Sequence, residues 1–132
     1  MYENDIVLIG FVGADPSIYV TTSGTPLAKF PLATKETLGK NPDGTYNTRT
    51  DWHDIIAYDG LAEYIDKSVR KGYYVMVRGG LHYSVWKEGE KKRKRAEIKI
   101  SRLIKLERDS NDATPPPEQE DPGTMEQGET SE

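Results

Sequence analysis

Tyr73-Tyr74-Val75-Met76-Val77-Arg78-Gly79-Gly80-Leu81-His82-Tyr83-Ser84-Val85-Trp86 is the stretch on which the fold turns. Its odd positions carry Val75, Val77, Leu81, Tyr83 and Val85; its even positions carry Tyr74, Met76, Arg78, His82, Ser84 and Trp86. This is the period-two alternation of a strand with one face on a core. The odd row is expected to face inward and Trp86 outward, provided Gly79-Gly80 introduces no bulge that flips the register.

Working outward, a hairpin through Lys87 to Lys94 leads to a last strand in which Ala96, Ile98, Ile100, Ile104 and Leu106 share parity, opposed by Glu97, Lys99 and Ser101. On the N-terminal side a short helix is expected. Asp59 suits its N-cap, Leu61, Ile65, Ser68 and Val69 fall on one face, Arg70 and Lys71 suit its C-terminal dipole, and Gly72 suits the left-handed residue that follows. Further back, Arg49 to Asp59 returns from a long hairpin whose tip is Asn41-Pro42-Asp43-Gly44. Gly24 to Thr34 alternates, with Ala28, Phe30 and Leu32 opposite Lys29, and Asn4 to Val12 is a β-rich run. Five strands with one helix between the third and the fourth outline an all-β OB-fold barrel, although pattern alone also fits other small barrels.

The 132 residues carry 18 Lys and Arg against 22 Asp and Glu, a net charge of -4, and no Cys. That length fits one domain with appendages rather than a multidomain enzyme. Zero Cys excludes a disulfide framework, a Cys-based zinc site and a thiol nucleophile, and agrees with a reducing cytoplasm. No run approaches the ~18 apolar residues of a membrane helix, and the first residues lack the basic-then-apolar order of a signal peptide, so a cytoplasmic protein with no membrane partner is expected.

The net charge averages two unlike pieces. Residues 1–110 hold all 18 basic groups and 15 acidic ones, a net of +3, whereas residues 111–132 hold seven acids and no base. With Pro115-Pro116-Pro117, Pro122 and almost nothing apolar, the tail cannot offset an ordering entropy of roughly 1 to 2 kcal/mol per residue. The expected organisation is an OB domain over 1–108 and a disordered, acidic, Pro-rich tail over 109–132.

Trp52 and Tyr58, six residues apart in one strand, share a face, and Trp86 sits on the non-core face of another. Aromatics on the open face of a small barrel give nucleobases flat partners worth about 1 to 3 kcal/mol per stacked base, without regard to sequence. Such rings also serve as core or interface. Basic groups supply the other half of a nucleic-acid site, and the candidates for phosphate contact are Lys35, Arg49, Arg70, Lys71, Lys87, Lys94 and Arg95. Lys91 to Arg95 is an unbroken basic run that also fits a solvated hairpin tip. Catalysis has little support. In Asp51-Trp52-His53-Asp54 the strand turns Asp51 and His53 away from Asp54, and the two histidines, His53 and His82, have no metal-ligand spacing. No catalytic residue, metal or cofactor is expected.

Val7-Leu8-Ile9-Gly10-Phe11-Val12-Gly13-Ala14-Asp15-Pro16, Ala28 to Thr34, Thr50-Asp51-Trp52-His53, Gly60-Leu61-Ala62-Glu63, Arg70-Lys71-Gly72 and Val75-Met76-Val77-Arg78-Gly79 follow one another in an order that resembles the bacterial single-stranded DNA-binding protein (SSB) family over about residues 4–106. The resemblance implies an OB-fold assembled as a homotetramer, wrapping single-stranded DNA in replication, recombination and repair, and associated with the nucleoid. Trp52 and Trp86 match the family's stacking positions, Tyr58 replaces its usual Phe, and His53 falls at a subunit contact.

Two departures stand out. A further stacking Trp of some members is Leu38 here, and the basic residues usual before Trp86 are His82, Ser84 and Val85. The chain also ends Gln127-Gly128-Glu129-Thr130-Ser131-Glu132, acidic but without the apolar tip that docks relatives onto replication and repair enzymes. Charge alone gives weak, salt-screened recruitment, so such partners are expected to be recruited poorly, and a tail competing with DNA for basic groups is expected to weaken DNA binding. The alternative function is an OB-fold protein-interaction paralogue with weakened DNA wrapping.

Overall fold

The computed structural model describes residues 1–107; the expected tail over 109–132 and its proposed contacts lie outside the described residues. Six strands and one helix follow in the order β1 (Ile6–Val12), β2 (Ser17–Val20), β3 (Pro26–Lys40), β4 (Tyr46–Tyr58), α1 (Asp59–Ser68), β5 (Tyr74–Glu88) and β6 (Lys91–Lys105). The sheet order β1-β5-β6-β4-β3 closes through a β1–β3 pairing, so these five form a barrel. The barrel is the OB-fold read from the pattern, with the helix between its third and fourth strands.

The additional strand is β2. It pairs with Pro26 to Lys29 of β3, on the same edge that β1 uses at Leu32 and Ala33, so it carries the path of β1 onward after a break at Gly13 to Pro16. All four of its residues are exposed. With so short a run and no buried row, alternation has nothing to register.

The core is built from the inward rows of every barrel strand and from one helix face. Val12, Ala28, Phe30, Leu32, Ile55, Ala57, Val75, Val77, Ile98 and Ile100 meet Ala62, Ile65 and Val69. Each fully buried Val, Leu or Ile of this set contributes roughly 1.5 to 3 kcal/mol of transfer free energy. The helix closes one end of the barrel. Its N-cap is Tyr58 rather than Asp59, in extended geometry and without a side-chain hydrogen bond, and Asp59 itself takes φ 59°. Strand β4 passes into the helix with no intervening loop, so a single residue must redirect the chain, and Asp is one of the few non-glycine residues that tolerates the left-handed region. Gly72 has φ 92°, as its place after the helix predicts, and its N–H donates to Val12 O at 2.8 Å.

Two parity expectations are overturned. The ladder between β5 and β6 shifts register between Arg78 and Gly79: Arg78 pairs with Arg102, but Gly79 pairs with Ile100, leaving Ser101 as an extra residue on β6. A bulge inverts the facing of its own strand only. Trp86 therefore keeps its expected side of β5, whereas on β6 Leu103 packs on the core and Ile104 falls on the outer face with Met76. A Cβ on Gly79 would lie 2.0 Å from Lys99 O, so the crossing excludes any other residue. Secondly, Leu81, Tyr83 and Val85 are not in the core but 39%, 47% and 60% exposed. Beyond Gly80 the β5–β6 hairpin leaves the barrel as an arm, and a row facing the core side of a strand finds no core there. Glu97, expected on the solvent side, is 1% exposed.

Candidate nucleic-acid interface

Residues paired across an antiparallel ladder point to the same side, so register defines the outer face of the barrel. On β4 this face carries Trp52, Asp54, Ile56 and Tyr58, opposite Ala33, Pro31, Lys29 and Leu27 of β3. On β6 it carries Lys99, which pairs with Ile56, and further along Glu97, Arg95 and Arg93, opposite His82, Ser84 and Trp86 of the arm. Ion pairs join the two halves. Lys29 Nζ lies 3.2 Å from Glu97 Oε2, and Arg95 Nε lies 3.9 Å from Asp54 Oδ2. Ser84 donates its hydroxyl proton to Glu97. The carboxylate of Glu97 thus holds the arm on the barrel and has a cation and a hydroxyl to balance its burial.

Trp52, Tyr58 and Trp86 are brought onto this one face. Trp86 is 37% exposed, and Trp52 and Tyr58 are half-buried. The Lys99 ammonium lies 5.0 Å from the Tyr58 ring centroid, within cation–π range. Trp52 rests on the turn after β1: a Cβ on Gly13 would fall 2.2 Å from its Cζ3 and 2.8 Å from its Cη2. That turn is held by the Val12 N–H on Tyr73 O and the Gly13 N–H on Pro31 O, both at 2.9 Å.

The seven basic candidates divide. Lys35, paired with Thr50, lies on the aromatic face, as does Arg95. Arg49 lies on the opposite face of β4, bonded to Glu36 at 2.7 Å and to Asp51 at 3.3 Å. Lys87 and Lys94 are on the reverse side of the arm, where Lys94 Nζ sits 4.6 Å from the Tyr83 ring centroid. Arg70 folds back to donate to Asp66 O and Val69 O at the helix end, and the Lys71 backbone N–H donates to Asp15. Lys29, Arg93 of the basic run, and Lys99 also stand on the face, and of these three only Lys99 was missed by the sequence reading. The parity of Lys99 against Ile98 and Ile100 marked it as outward, but only the ladder shows that outward on β6 means beside Tyr58.

His53 points to the other side, its Nε2 2.9 Å from the Thr34 hydroxyl. Burial pushes its pKa below the ordinary value, against the raising effect of Asp51 and Asp54. Asp51 and His53 on one face and Asp54 on the other leave no convergent triad. No group of three or more potential metal ligands occurs among the described residues, and none of their helices is long and apolar enough to cross a membrane.

A closed five-stranded barrel with rings and cations gathered on one outer face defines an OB-fold of the class whose sheet face takes oligonucleotides or oligosaccharides. Residues 3–106 match the Single-strand binding protein family, and the chain belongs to it. It is 35% identical over 86 residues to the single-stranded DNA-binding protein of Rhizobium meliloti, covering 64% of this chain and 49% of that one. To single-stranded DNA-binding protein 1 of Xylella fastidiosa it is 36% identical over 91 residues, covering 67% of each. The alignments thus span about half to two thirds of these curated relatives. A solved structure of Plasmodium falciparum SSB in complex with single-stranded DNA superposes with a TM-score of 0.70 at 37% identity, over 81% of this chain and 97% of that one.

Proposed function

We propose that this protein binds single-stranded DNA without sequence preference, stacking bases on Trp52, Tyr58 and Trp86 and meeting phosphates with cations of the same face, in the service of replication, recombination and repair at the nucleoid. The observation that carries this is the convergence of three rings, from two strands distant in sequence, on one outer face that also bears Lys29, Lys35, Lys99, Arg93 and Arg95. The rival idea of an interaction paralogue rests on Leu38 and on the thin charge before Trp86; Lys99 returns charge to the face from another strand. Titration with oligo-dT tests the assignment. Tryptophan fluorescence should be strongly quenched, and Trp86→Ala should weaken binding by about 5- to 150-fold, the equivalent of one stacked base, while leaving the fold intact. No fluorescence change at low salt would overturn it.

A homotetramer belongs to the same proposal, with His53 near a subunit contact. Val7 and Ile9 are 52% and 50% exposed on β1, beside Met76 and Ile104 on the outer face of β1-β5-β6. A second copy would cover these apolar side chains, and closed symmetric assembly is the usual outcome of such a self-complementary face. A solution mass of four chains is expected; a monomer at micromolar concentration would refute it.

A further inference from the structure

We infer that Tyr46, with Lys40 beside it, is a further base-stacking position at the stem of the β3–β4 hairpin, an inference that rests on the single-stranded DNA reading above. The ladder between β3 and β4 shifts register between Thr37 and Gly39, and the extra residue, Leu38, lies on β3. Strand β4 therefore runs from Tyr46 to Tyr58 without interruption, and Tyr46, Trp52 and Tyr58 recur every six residues on one side. At about 3.4 Å per residue these rings are spaced by roughly 20 Å along the strand.

The bulge also decides what lies beside Tyr46. An unshifted ladder would set Gly39 opposite it; the shift sets Lys40 there, with Nζ 5.9 Å from the ring centroid. The same unit occurs at Tyr58, where Lys99 Nζ lies 5.0 Å from the ring. A nucleotide offers a flat base and an adjacent anionic phosphate, and a ring with an ammonium alongside meets both. Lys35, on the same side between Trp52 and Tyr46, continues the cationic path. Tyr46 is 60% exposed, and it follows directly on a tight turn in which the Asn41 N–H donates to Thr45 O at 2.6 Å and the Gly44 N–H to Asn41 O at 3.0 Å.

The test is a fluorescence titration of the full chain with short and long oligo-dT, in which Trp52 and Trp86 report occupancy of the central face independently of Tyr46. Tyr46→Ala should weaken binding of long oligo-dT at least about fivefold, leave short oligo-dT unaffected, and keep tryptophan quenching at saturation. Tyr46→Phe should bind as wild type, since the ring rather than the hydroxyl stacks. Tyr46→Thr, which keeps strand propensity, should behave as the alanine variant and guards against a loss caused by unfolding. Wild-type affinity of both Tyr46→Ala and Tyr46→Thr for long oligo-dT, with quenching intact, would overturn the inference while leaving the central site standing. Absence of quenching in the wild type would instead overturn the DNA reading itself.

Discussion

Gly13→Ala should damage DNA binding through a contact that never touches DNA. The added Cβ would sit 2.2 Å from Cζ3 and 2.8 Å from Cη2 of Trp52. Carbon atoms are comfortable at about 3.5 to 4.0 Å, so the ring or the turn must yield by about 1.3 Å or more. The turn is pinned on both sides, by the Val12 N–H on Tyr73 O and the Gly13 N–H on Pro31 O. The indole therefore moves. Displacing it from its seat forfeits up to one stacked base, about 1 to 3 kcal/mol, which is about 5- to 150-fold in Kd. Trp52→Ala sets the ceiling, and the double variant should be no worse than Trp52→Ala alone, because both changes act on one ring. The assay is oligo-dT titration followed by tryptophan fluorescence, with urea unfolding as a control for the fold. Wild-type Kd and quenching amplitude in Gly13→Ala would refute the claim that this turn seats the ring.

Glu97→Ala removes a buried carboxylate that faces Lys29 and Ser84. It should cost about 2 to 3 kcal/mol in urea unfolding, less than a fully buried ion pair because Lys29 reaches solvent; a loss within about 0.5 kcal/mol, the range of ordinary surface changes, would contradict the role of Glu97 in fixing the arm. His53 makes stability depend on pH. Burial favours its neutral form in the fold, so the unfolded chain takes up a proton as pH falls through about 6.5 while the folded chain resists it, and this contribution to stability is lost on acidification. Urea midpoints at neutral and mildly acidic pH should converge more closely in His53→Gln than in wild type; an equal pH slope in both would exclude His53 as the source.

The barrel was legible because its inward rows obey a period of two wherever a core exists to enforce it. Ala28, Phe30 and Leu32, and Val75 and Val77, alternate in the sequence and are buried in the fold. The pattern misled where that enforcement ends. Leu81, Tyr83 and Val85 continue an apolar row past the barrel rim, and the alternation of β6 breaks at Ser101, where the strand gives up one residue to the bulge. Short β2, with no buried side, left no trace.

The sequence by itself pointed to a small barrel with a short helix after its third strand, put Trp52 and Tyr58 on one shared face and turned Trp86 outward, because each depends on local periodicity or turn chemistry. Only the tertiary structure decided which cations join those rings. Lys29, Lys99 and Arg95 come from strands far apart in the chain, and Arg49 and Lys94, equally basic in sequence, turn to other faces. The physical reason is that ladder register, bulges and ring closure are settled by pairing between strands, and no single strand carries that information.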